Sequence, residues 1–429
     1  MKTLNLIIGV LVMLGLAPSL AAQAIPVEVV ETDAGYQLLR GGEPYEIRGA
    51  GLEYSDISVF AAHGGNSIRT WRTGDEKFSG MELLDEAHAN GVSVALCIEI
   101  GRERQGFDYN DEAAVAAQLE YARQEVMKYK DHPALLVWIV GNEPNLFYEN
   151  PRVFDAVNDI SKMIHEVDGK HPTTTALAGF NADLAEQMRT RSPDLDFVSI
   201  QMYGDVVNLP RYIEELGWTD PYMVTEWGAI GHWEVRSTEW GAPVEQDSTA
   251  KADNYRKSHE IAIAAQPQQV IGSYVFLWGQ KQERTPTWYG MFLPDGSETE
   301  PVDVMHHIWK GEWPDNRSPQ VTGMRLDDQS SAEDIVLQTG SNVSASVKTN
   351  DPDGDVVQYQ WVLMQESQAT QHGGDLEAVP EEVTGLIKGG DTSSVTLSVP
   401  QQAGAYRLFV YARDGRGKAG HANIPFKVE

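Results

Sequence analysis

Cysteine and basic residues are both scarce in this sequence, and each scarcity excludes a class of protein. The single cysteine, Cys97, lies in the apolar run from Val92 to Ile98, so the chain has no disulfide framework, and such a position is typical of an inert buried thiol. The 33 Lys and Arg residues face 63 Asp and Glu residues, which gives a net charge of −30. Nucleic acid and anionic membranes would repel such a chain, so we expect neither as a partner.

Long hydrophobic runs are also absent beyond the first residues. The chain begins with one lysine, an apolar run from Leu4 to Leu16 and the small-x-small sequence Ala22-Gln23-Ala24. This pattern predicts a signal peptide over residues 1–24 and a secreted or periplasmic protein. A membrane anchor is the alternative, but the run is short for a span of about 20 residues. No Cys/His cluster has zinc spacing, and we expect no metal or other cofactor.

A short apolar stretch, from Ala134 to Asn145, carries the first functional signal. The run Leu135 to Val140 is too short and too rich in β-branched residues for a surface helix, and it predicts a strand buried on both faces. Gly141 and Pro144 end the strand and leave Asn142 and Glu143 at its C-terminal tip. In a barrel of parallel strands, that end carries the chemistry.

A second glutamate has the same setting. The stretch from Tyr222 to Gly228 is again a short apolar strand that ends in Glu226. Two glutamates at the mouths of buried strands are what a glycosidase needs, one as acid/base and the other as nucleophile. A separation of about 5–5.5 Å between such carboxyls gives retention, and about 6.5–9.5 Å gives inversion.

Strand and helix patterns alternate regularly around these two glutamates. A hairpin from Tyr36 to Ile47 is predicted to close a barrel floor. The eight predicted strands that follow are Glu46–Gly51, Ser67–Trp71, Val92–Ile98, Leu135–Val140, Thr173–Ala178, Phe197–Met202, Tyr222–Glu226 and Val270–Trp278. This order predicts an α/β fold, a (β/α)₈ TIM barrel over residues 25–315. A doubly wound sheet is the rival, but the glycines near Arg48 make a poor phosphate-binding loop.

The composition changes near Trp313-Pro314. From Gln320 onward, alternating runs such as Val395–Val399 and Ala405–Ala412 predict a small immunoglobulin-like β-sandwich over residues 316–429. Its tight acidic turn, Asp351 to Asp355, is either a calcium site or a solvated hairpin turn, and the partial set of ligands favours the turn.

Further polar and aromatic residues stand at the predicted strand tips. Arg69 can give charge-assisted hydrogen bonds to an ionised Glu226, and Tyr203 can donate its hydroxyl. Asn142 can bind a sugar 2-hydroxyl, and Trp278 offers a platform for a sugar ring. Each could instead be structural, as could three further subsite candidates: Glu99, Trp227 and Trp288. Glu99 could equally form a salt bridge with a nearby arginine, Arg102 or Arg104.

Taken together, Asn142-Glu143-Pro144 and Thr225-Glu226-Trp227-Gly228 resemble the motifs of retaining (β/α)₈ glycoside hydrolases of clan A. Within the clan, the chain is most similar to the catalytic domain of family 2. The resemblance implies Glu143 as acid/base and Glu226 as nucleophile, with Arg69, Tyr203 and Trp278 at the clan's arginine, tyrosine and tryptophan positions. The chain departs from the family after Arg69 and at Gln201, and the last domain resembles polycystic-kidney-type modules.

These features predict a secreted retaining β-glycoside hydrolase that acts on a β-linked glucan or oligosaccharide. Two alternatives remain: a transglycosidase that uses the same site, and a carbohydrate-binding scaffold without turnover. The acceptor that releases the sugar decides between hydrolysis and transfer, and the sequence does not specify it. A carbohydrate substrate is the expected partner, and we expect a monomer.

Overall fold

The protein is described by a computed structural model that covers residues 23–429. The predicted signal peptide, apart from its last two residues, lies outside this range. Over the described residues, no helix combines the length and the apolar character that a bilayer span needs.

Eight parallel strands close into a barrel in the order β10-β11-β4-β5-β6-β7-β8-β9. The strands are β4 (Gly49–Gly51), β5 (Ser67–Arg69), β6 (Ser93–Ile98), β7 (Leu135–Asn142), β8 (Thr173–Ala178), β9 (Val198–Gln201), β10 (Tyr222–Glu226) and β11 (Val270–Val275). Each corresponds to one predicted strand, so the TIM barrel is confirmed.

The barrel strands have two buried faces, which explains why their sequences are continuously apolar. On β7, Val137 and Ile139 point into the barrel interior, where they pack with Cys97. Trp138 and Val140, which alternate with them, pack against the surrounding helices. The buried position of Cys97 agrees with the inert thiol that the sequence predicted.

Eight α-helices accompany the strands within the described residues. They are α1 (Ile57–Ala62), α2 (Gly80–Ala89), α3 (Glu112–Tyr129), α4 (Arg152–Val167), α5 (Ala182–Arg191), α6 (Leu209–Glu215), α7 (Ser248–Ser258) and α8 (Glu300–Lys310). Side chains cap several of them: the carboxylate of Asp111, for example, accepts hydrogen bonds from the first turn of α3.

A small antiparallel sheet closes the barrel at the N-terminal ends of its strands. It consists of β1 (Val27–Thr32), β2 (Gly35–Arg40) and β3 (Glu43–Pro44), and two of its residues, Val27 and Leu38, join the interior core. The predicted hairpin corresponds to β2 and β3. β1 was not predicted, although its sequence VEVVET is rich in the β-branched residues that favour strands.

The C-terminal part is a pair of antiparallel-rich four-stranded sheets. One has the order β12-β14-β17-β16 and the other β13-β19-β18-β15. Their strands are β12 (Gln320–Leu326), β13 (Val336–Leu337), β14 (Asn342–Asn350), β15 (Gln358–Gln365), β16 (Ile387–Lys388), β17 (Ser394–Ser398), β18 (Gly404–Arg413) and β19 (Ala419–Val428). Trp361 lies in the core between them, so a β-sandwich follows the barrel as expected.

A network of buried charges joins the sandwich to the barrel. Lys251 of α7 donates to Glu245 at 2.5 Å, and Asn423 of β19 donates to the other carboxylate oxygen of Glu245 at 2.6 Å. Arg407 of β18 donates to Glu366, to Asn423 and to a backbone carbonyl of the barrel. Because unpaired buried charges are costly, this network fixes the two domains in one arrangement.

Candidate active site

Glu143 follows β7 in a backbone conformation that is unusual for its residue type. Its φ angle is +51°, in the left-handed region, and the preceding Gly141 has φ +78°. Asn145 holds the turn from the other side, because its amide group exchanges hydrogen bonds of 2.9 Å with the backbone of Ala178. A non-glycine residue in this region costs about 1 kcal/mol or more, and such strain is often found at active sites.

Glu226, at the end of β10, accepts hydrogen bonds from four side chains. Its Oε1 atom receives them from Arg69 Nη1 at 2.6 Å, Trp71 Nε1 at 2.8 Å and Gln201 Nε2 at 3.1 Å. Its Oε2 atom receives one from the Tyr203 hydroxyl at 2.6 Å. These donors satisfy a buried carboxylate, and the fully buried Arg69 guanidinium supplies the compensating positive charge.

Asn142 connects the two glutamates. Its Oδ1 atom accepts hydrogen bonds from Arg69 Nη2 at 2.7 Å and Gln201 Nε2 at 2.9 Å. Both donors also bind Glu226, so the amide orientation of Asn142 is fixed by the same residues that hold the carboxylate. No described residue accepts a hydrogen bond from its Nδ2 group, which is thereby left free to donate to a ligand.

Glu143 has a different environment from Glu226. Its carboxyl group makes no hydrogen bond or ion pair with any described residue. Burial is the main cause that raises its pKa, and the nearby negative charge of Glu226 raises it further, to about 8. Arg69 and two loop arginines, Arg102 and Arg104, partly oppose this rise. The pair therefore consists of a carboxyl that stays protonated at neutral pH and a strongly hydrogen-bonded carboxylate.

Aromatic side chains surround the Glu226 carboxylate. Phe276, which follows β11 and is 7% exposed, has its ring within 6 Å of the rings of Trp71, Tyr203 and Tyr289. Trp233, in the loop after β10, packs edge-on against Tyr203 and is 60% exposed. Trp233 is therefore the more exposed of the two tryptophans in this group, since Trp71 is half-buried.

Three predicted sugar-binding tryptophans lie elsewhere, and those predictions were wrong. Trp278 is 1% exposed and packs against Phe60 of α1 and Trp309 of α8. The strand β11 ends at Val275, so strand alternation no longer predicts which way Trp278 points.

Trp227 and Trp288 are also buried. Trp227 directly follows Glu226 and points to the opposite side, where it packs against Tyr255 and His259 in the helical layer. Trp288 lies beneath the loops and donates its indole N–H to the carbonyl of Ile230 at 2.9 Å. Both stabilise the loops and strands that carry the site.

Glu99 is exposed at the end of β6, on the rim of the barrel mouth. It forms no ion pair with Arg102 or Arg104 in the described part of the chain. Arg104 instead pairs with Asp375 of the sandwich, at 2.7 Å. Glu99 thus remains a rim residue without direct contact to the two-glutamate centre.

Sequence reasoning missed two donors to Glu226. Trp71 and Gln201 each stand two positions from a predicted site residue, Arg69 and Tyr203 respectively. Because β5 ends at Arg69 and β9 ends at Gln201, one residue of each pair lies beyond its strand, and strand alternation does not show that the two share a face. A further residue, Glu53, supports Trp71 by accepting its backbone N–H at 2.7 Å.

The described residues contain no group of three or more His, Cys, Asp and Glu side chains placed to hold a metal ion. The acidic turn of the sandwich is closed by its own hydrogen bonds. Asp351 accepts from the backbone of Asp353 and Asp355, and Asp355 pairs with Arg416 at 2.9 Å. The turn joins β14 to β15, which lie in different sheets, so it connects the two sheets and the predicted hairpin was wrong.

Comparison with known proteins agrees with this geometry. Residues 52–231 match the family described as "Glycosyl hydrolases family 2, TIM barrel domain". The resemblance of the barrel to the family 2 catalytic domain is therefore confirmed.

Two curated relatives match part of the chain. A probable mannan endo-1,4-beta-mannosidase A-2 from Aspergillus terreus is 29% identical over 144 residues, which cover 33% of this chain and 35% of that protein. A beta-glucuronidase from Streptococcus agalactiae is 26% identical over 246 residues, which cover 50% of this chain and 39% of that protein. The chain thus spans well under half of the length of either relative.

A solved structure with the same fold is that of Bacteroides uniformis beta-glucuronidase 2, covalently bound to cyclophellitol-6-carboxylate aziridine. It superimposes with a TM-score of 0.51 at 15% identity, over 94% of this chain and 48% of that one. At this identity the likeness concerns the fold alone.

Proposed function

We propose that this protein is a retaining β-glycoside hydrolase that cleaves a β-linked glycan by double displacement. The observation that carries the proposal is the contrast between the two glutamates: Glu226 is held by four hydrogen-bond donors, and Glu143 has its pKa raised to about 8. A glycosidase needs one ionised and one protonated carboxyl, and these environments supply them.

In the first step, Glu226 attacks the anomeric carbon while the bond to the leaving oxygen breaks. Oε2 is the freer oxygen for attack, because it accepts one hydrogen bond and Oε1 accepts three. Glu143 transfers its proton to the leaving oxygen, and a covalent glycosyl-enzyme forms.

In the second step, Glu143, now ionised, takes a proton from water. The water oxygen attacks the anomeric carbon, the bond to Glu226 breaks, and both carboxyls return to their first state. Asn142 stands ready to donate its free Nδ2–H to the sugar 2-hydroxyl, a contact that strengthens in the transition state. Two displacements at one carbon retain its configuration.

The substrate class we propose is a β-linked glucan or oligosaccharide, supported by the exposed Trp233 beside the site. The named activities of the relatives make β-mannan and β-glucuronide the competing substrates to test. Secretion is part of the proposal, on the pattern of residues 1–24. The N-terminal sequence of the mature protein, expected to begin at Ile25, tests it.

Product analysis tests the reaction. Wild type and Glu226→Gln are incubated with β-linked gluco-, manno- and glucurono-oligosaccharides, and products are resolved by mass and by anomeric proton NMR. We expect shorter products with retained configuration from the wild type alone. The control is Glu239→Gln, at an exposed position, which should match the wild type. Products longer than the substrate would indicate transfer, and a wild type that cleaves nothing would contradict the proposal.

A further inference from the structure

One loop of the sandwich extends to the catalytic face of the barrel. It connects β15 to β16, and we call residues 367–380 the cover loop. Both of its ends are fixed: Gln365 and Glu381 pair through a backbone hydrogen bond of 3.1 Å, and Glu366 forms the buried ion pair with Arg407. The base of the loop is thus tied into the charge network that joins the domains.

The cover loop contacts the turn that carries the acid/base candidate. His372 packs edge-on against Phe147, four residues after Glu143, with ring centroids 5.4 Å apart. Gly373 passes so close to Leu146 that a Cβ atom there would lie 2.6 Å from the leucine side chain. A residue with a side chain at this position would have to move the end of the Leu146 side chain, and the left-handed backbone of Gly373, with φ +60°, also favours glycine.

The cover loop also spans from the loop after β6 to the loop after β11. Asp375 accepts hydrogen bonds from Arg104 at 2.7 and 3.2 Å. Two residues later, Glu377 accepts from the backbone N–H of Arg284 at 2.6 Å and is 1% exposed in its side chain. Between these anchors Leu376 is 94% exposed, at the outer edge of the barrel mouth.

We propose that the cover loop forms a binding subsite for the leaving-group portion of the glycan, with Phe147 and His372 as its contact residues. This inference rests on the proposed function. Glu143 donates its proton to the leaving oxygen, so the sugar that departs lies on the Glu143 side of the mouth. Phe147, 60% exposed, and the exposed His372 ring present an aromatic surface there, suited to the C–H face of a pyranose.

The position of the loop has a consequence for specificity. A substrate with one sugar and a small leaving group contacts Glu226, Asn142 and Glu143 but does not reach the cover loop. A substrate with several sugars beyond the cleaved bond also meets the cover loop. The loop therefore favours longer glycans through kcat/KM, and the sandwich is part of the active site.

The test compares two substrates for each variant. One is the hexaose that the wild type cleaves best among cellohexaose, laminarihexaose and mannohexaose, and the other is the p-nitrophenyl β-glycoside of the same sugar. In His372→Ala, and in Asp375→Ala/Glu377→Ala, we expect the ratio of kcat/KM for hexaose to that for the aryl glycoside to fall at least tenfold.

The control is Asp355→Ala, which removes an exposed ion pair with Arg416 at another turn of the same domain. Its ratio should stay within twofold of the wild type. An unchanged ratio in the loop variants, or an equal fall in the control, overturns the subsite. If the double variant fails to fold, the single substitution His372→Ala, at an exposed residue, is sufficient for the test.

Binding separates failure of this inference from failure of the proposed function. The three hexaoses are titrated into Glu226→Gln and into Glu226→Gln/His372→Ala. Tighter binding to the first protein supports the subsite even if the wild type cleaves nothing. A wild type that cleaves a hexaose with no affinity difference overturns the subsite alone. If the wild type cleaves no hexaose and neither protein binds one, both the subsite and the proposed function are overturned.

Discussion

At the scale of single residues, the site assigns different chemistry to two identical side chains. Glu226 has four donors, and Glu143 has none among the described residues. Glu143 is therefore the group whose protonation should govern the pH dependence of activity.

The alkaline limb of the pH profile should belong to Glu143. A general acid works while protonated, so kcat/KM on a substrate with a poor leaving group should fall as pH rises through about 8. We expect Glu143→Gln to lose most activity, and with it this limb, on that substrate. On p-nitrophenyl glycosides, whose leaving group needs no proton, the limb should be weak in the wild type and absent in the variant. Profiles between pH 5 and 10 measure this. An unshifted limb in the variant would assign it to another group.

The same group should reduce stability. The ordinary pKa of a glutamate is 4.5 and burial raises that of Glu143 to about 8, so between these values the folded chain binds a proton that the unfolded chain has lost. Stability contributed by this site then falls as pH rises across that window. Glu143→Gln should raise Tm, and more at pH 8 than at pH 5. Calorimetry at both values checks this, with Glu239→Gln as the exposed control.

Trp71 should matter to catalysis through one hydrogen bond. Trp71→Phe removes the 2.8 Å donor to Glu226 and keeps an aromatic ring. We expect kcat/KM to fall by roughly 10²-fold, the usual effect of removing one preorganised donor. The comparison variant is Trp313→Phe, whose ring stacks on His307 at the surface. Equal activity in both variants would show that the Trp71 donor is dispensable.

At the scale of elements, the strands could be predicted and the paths after them could not. Each barrel strand carries a continuous apolar signal, because both faces are buried. The direction of a side chain beyond the strand depends on the irregular backbone that follows. Glu143 and Glu226 were placed correctly at strand ends because glycine and proline mark those ends, whereas Trp278 lies past the last regular residue of β11.

Phe276 and Trp278 should therefore respond differently to substitution. Phe276→Leu opens the aromatic wall beside Glu226, so we expect kcat/KM to fall about tenfold with a small change in Tm. Trp278→Phe leaves a cavity between α1 and α8, so we expect a loss of about 1–3 kcal/mol of stability with an unchanged KM. Thermal unfolding and steady-state kinetics of both variants test these expectations. A raised KM in Trp278→Phe would support the original prediction that Trp278 binds a sugar ring.

At the scale of the whole molecule, the sequence indicated two domains but not how they meet. Charged residues such as Glu245, Lys251 and Arg407 are ordinary surface residues by composition. Their burial depends on contacts between segments more than 150 positions apart, as from Asn423 to Glu245. No local pattern marks such a pair, and the cover loop was missed for the same reason.

The interface should make the two domains unfold together. Glu245→Gln leaves Lys251 buried without its counter-ion, which costs about 3–5 kcal/mol. We expect one calorimetric transition in the wild type and, in the variant, a lower Tm with the sandwich and barrel transitions separated. Glu239→Gln, on the exposed part of the same loop, is the control. Two transitions already in the wild type would show that the network does not couple the domains.

The buried charges at this interface also limit how the two domains can be exchanged between proteins during evolution. Lys418 of the sandwich donates to Glu298 and Asp303 of the barrel at 2.5 and 2.6 Å. A sandwich moved by recombination to an unrelated barrel would lose both carboxylate acceptors of this ammonium group, whereas Arg407 would keep its ion pair with Glu366 and lose the Pro243 carbonyl. The sandwich is therefore unlike a domain that can be transferred between barrels. Substitutions in the sandwich at this interface should coevolve with substitutions in the barrel.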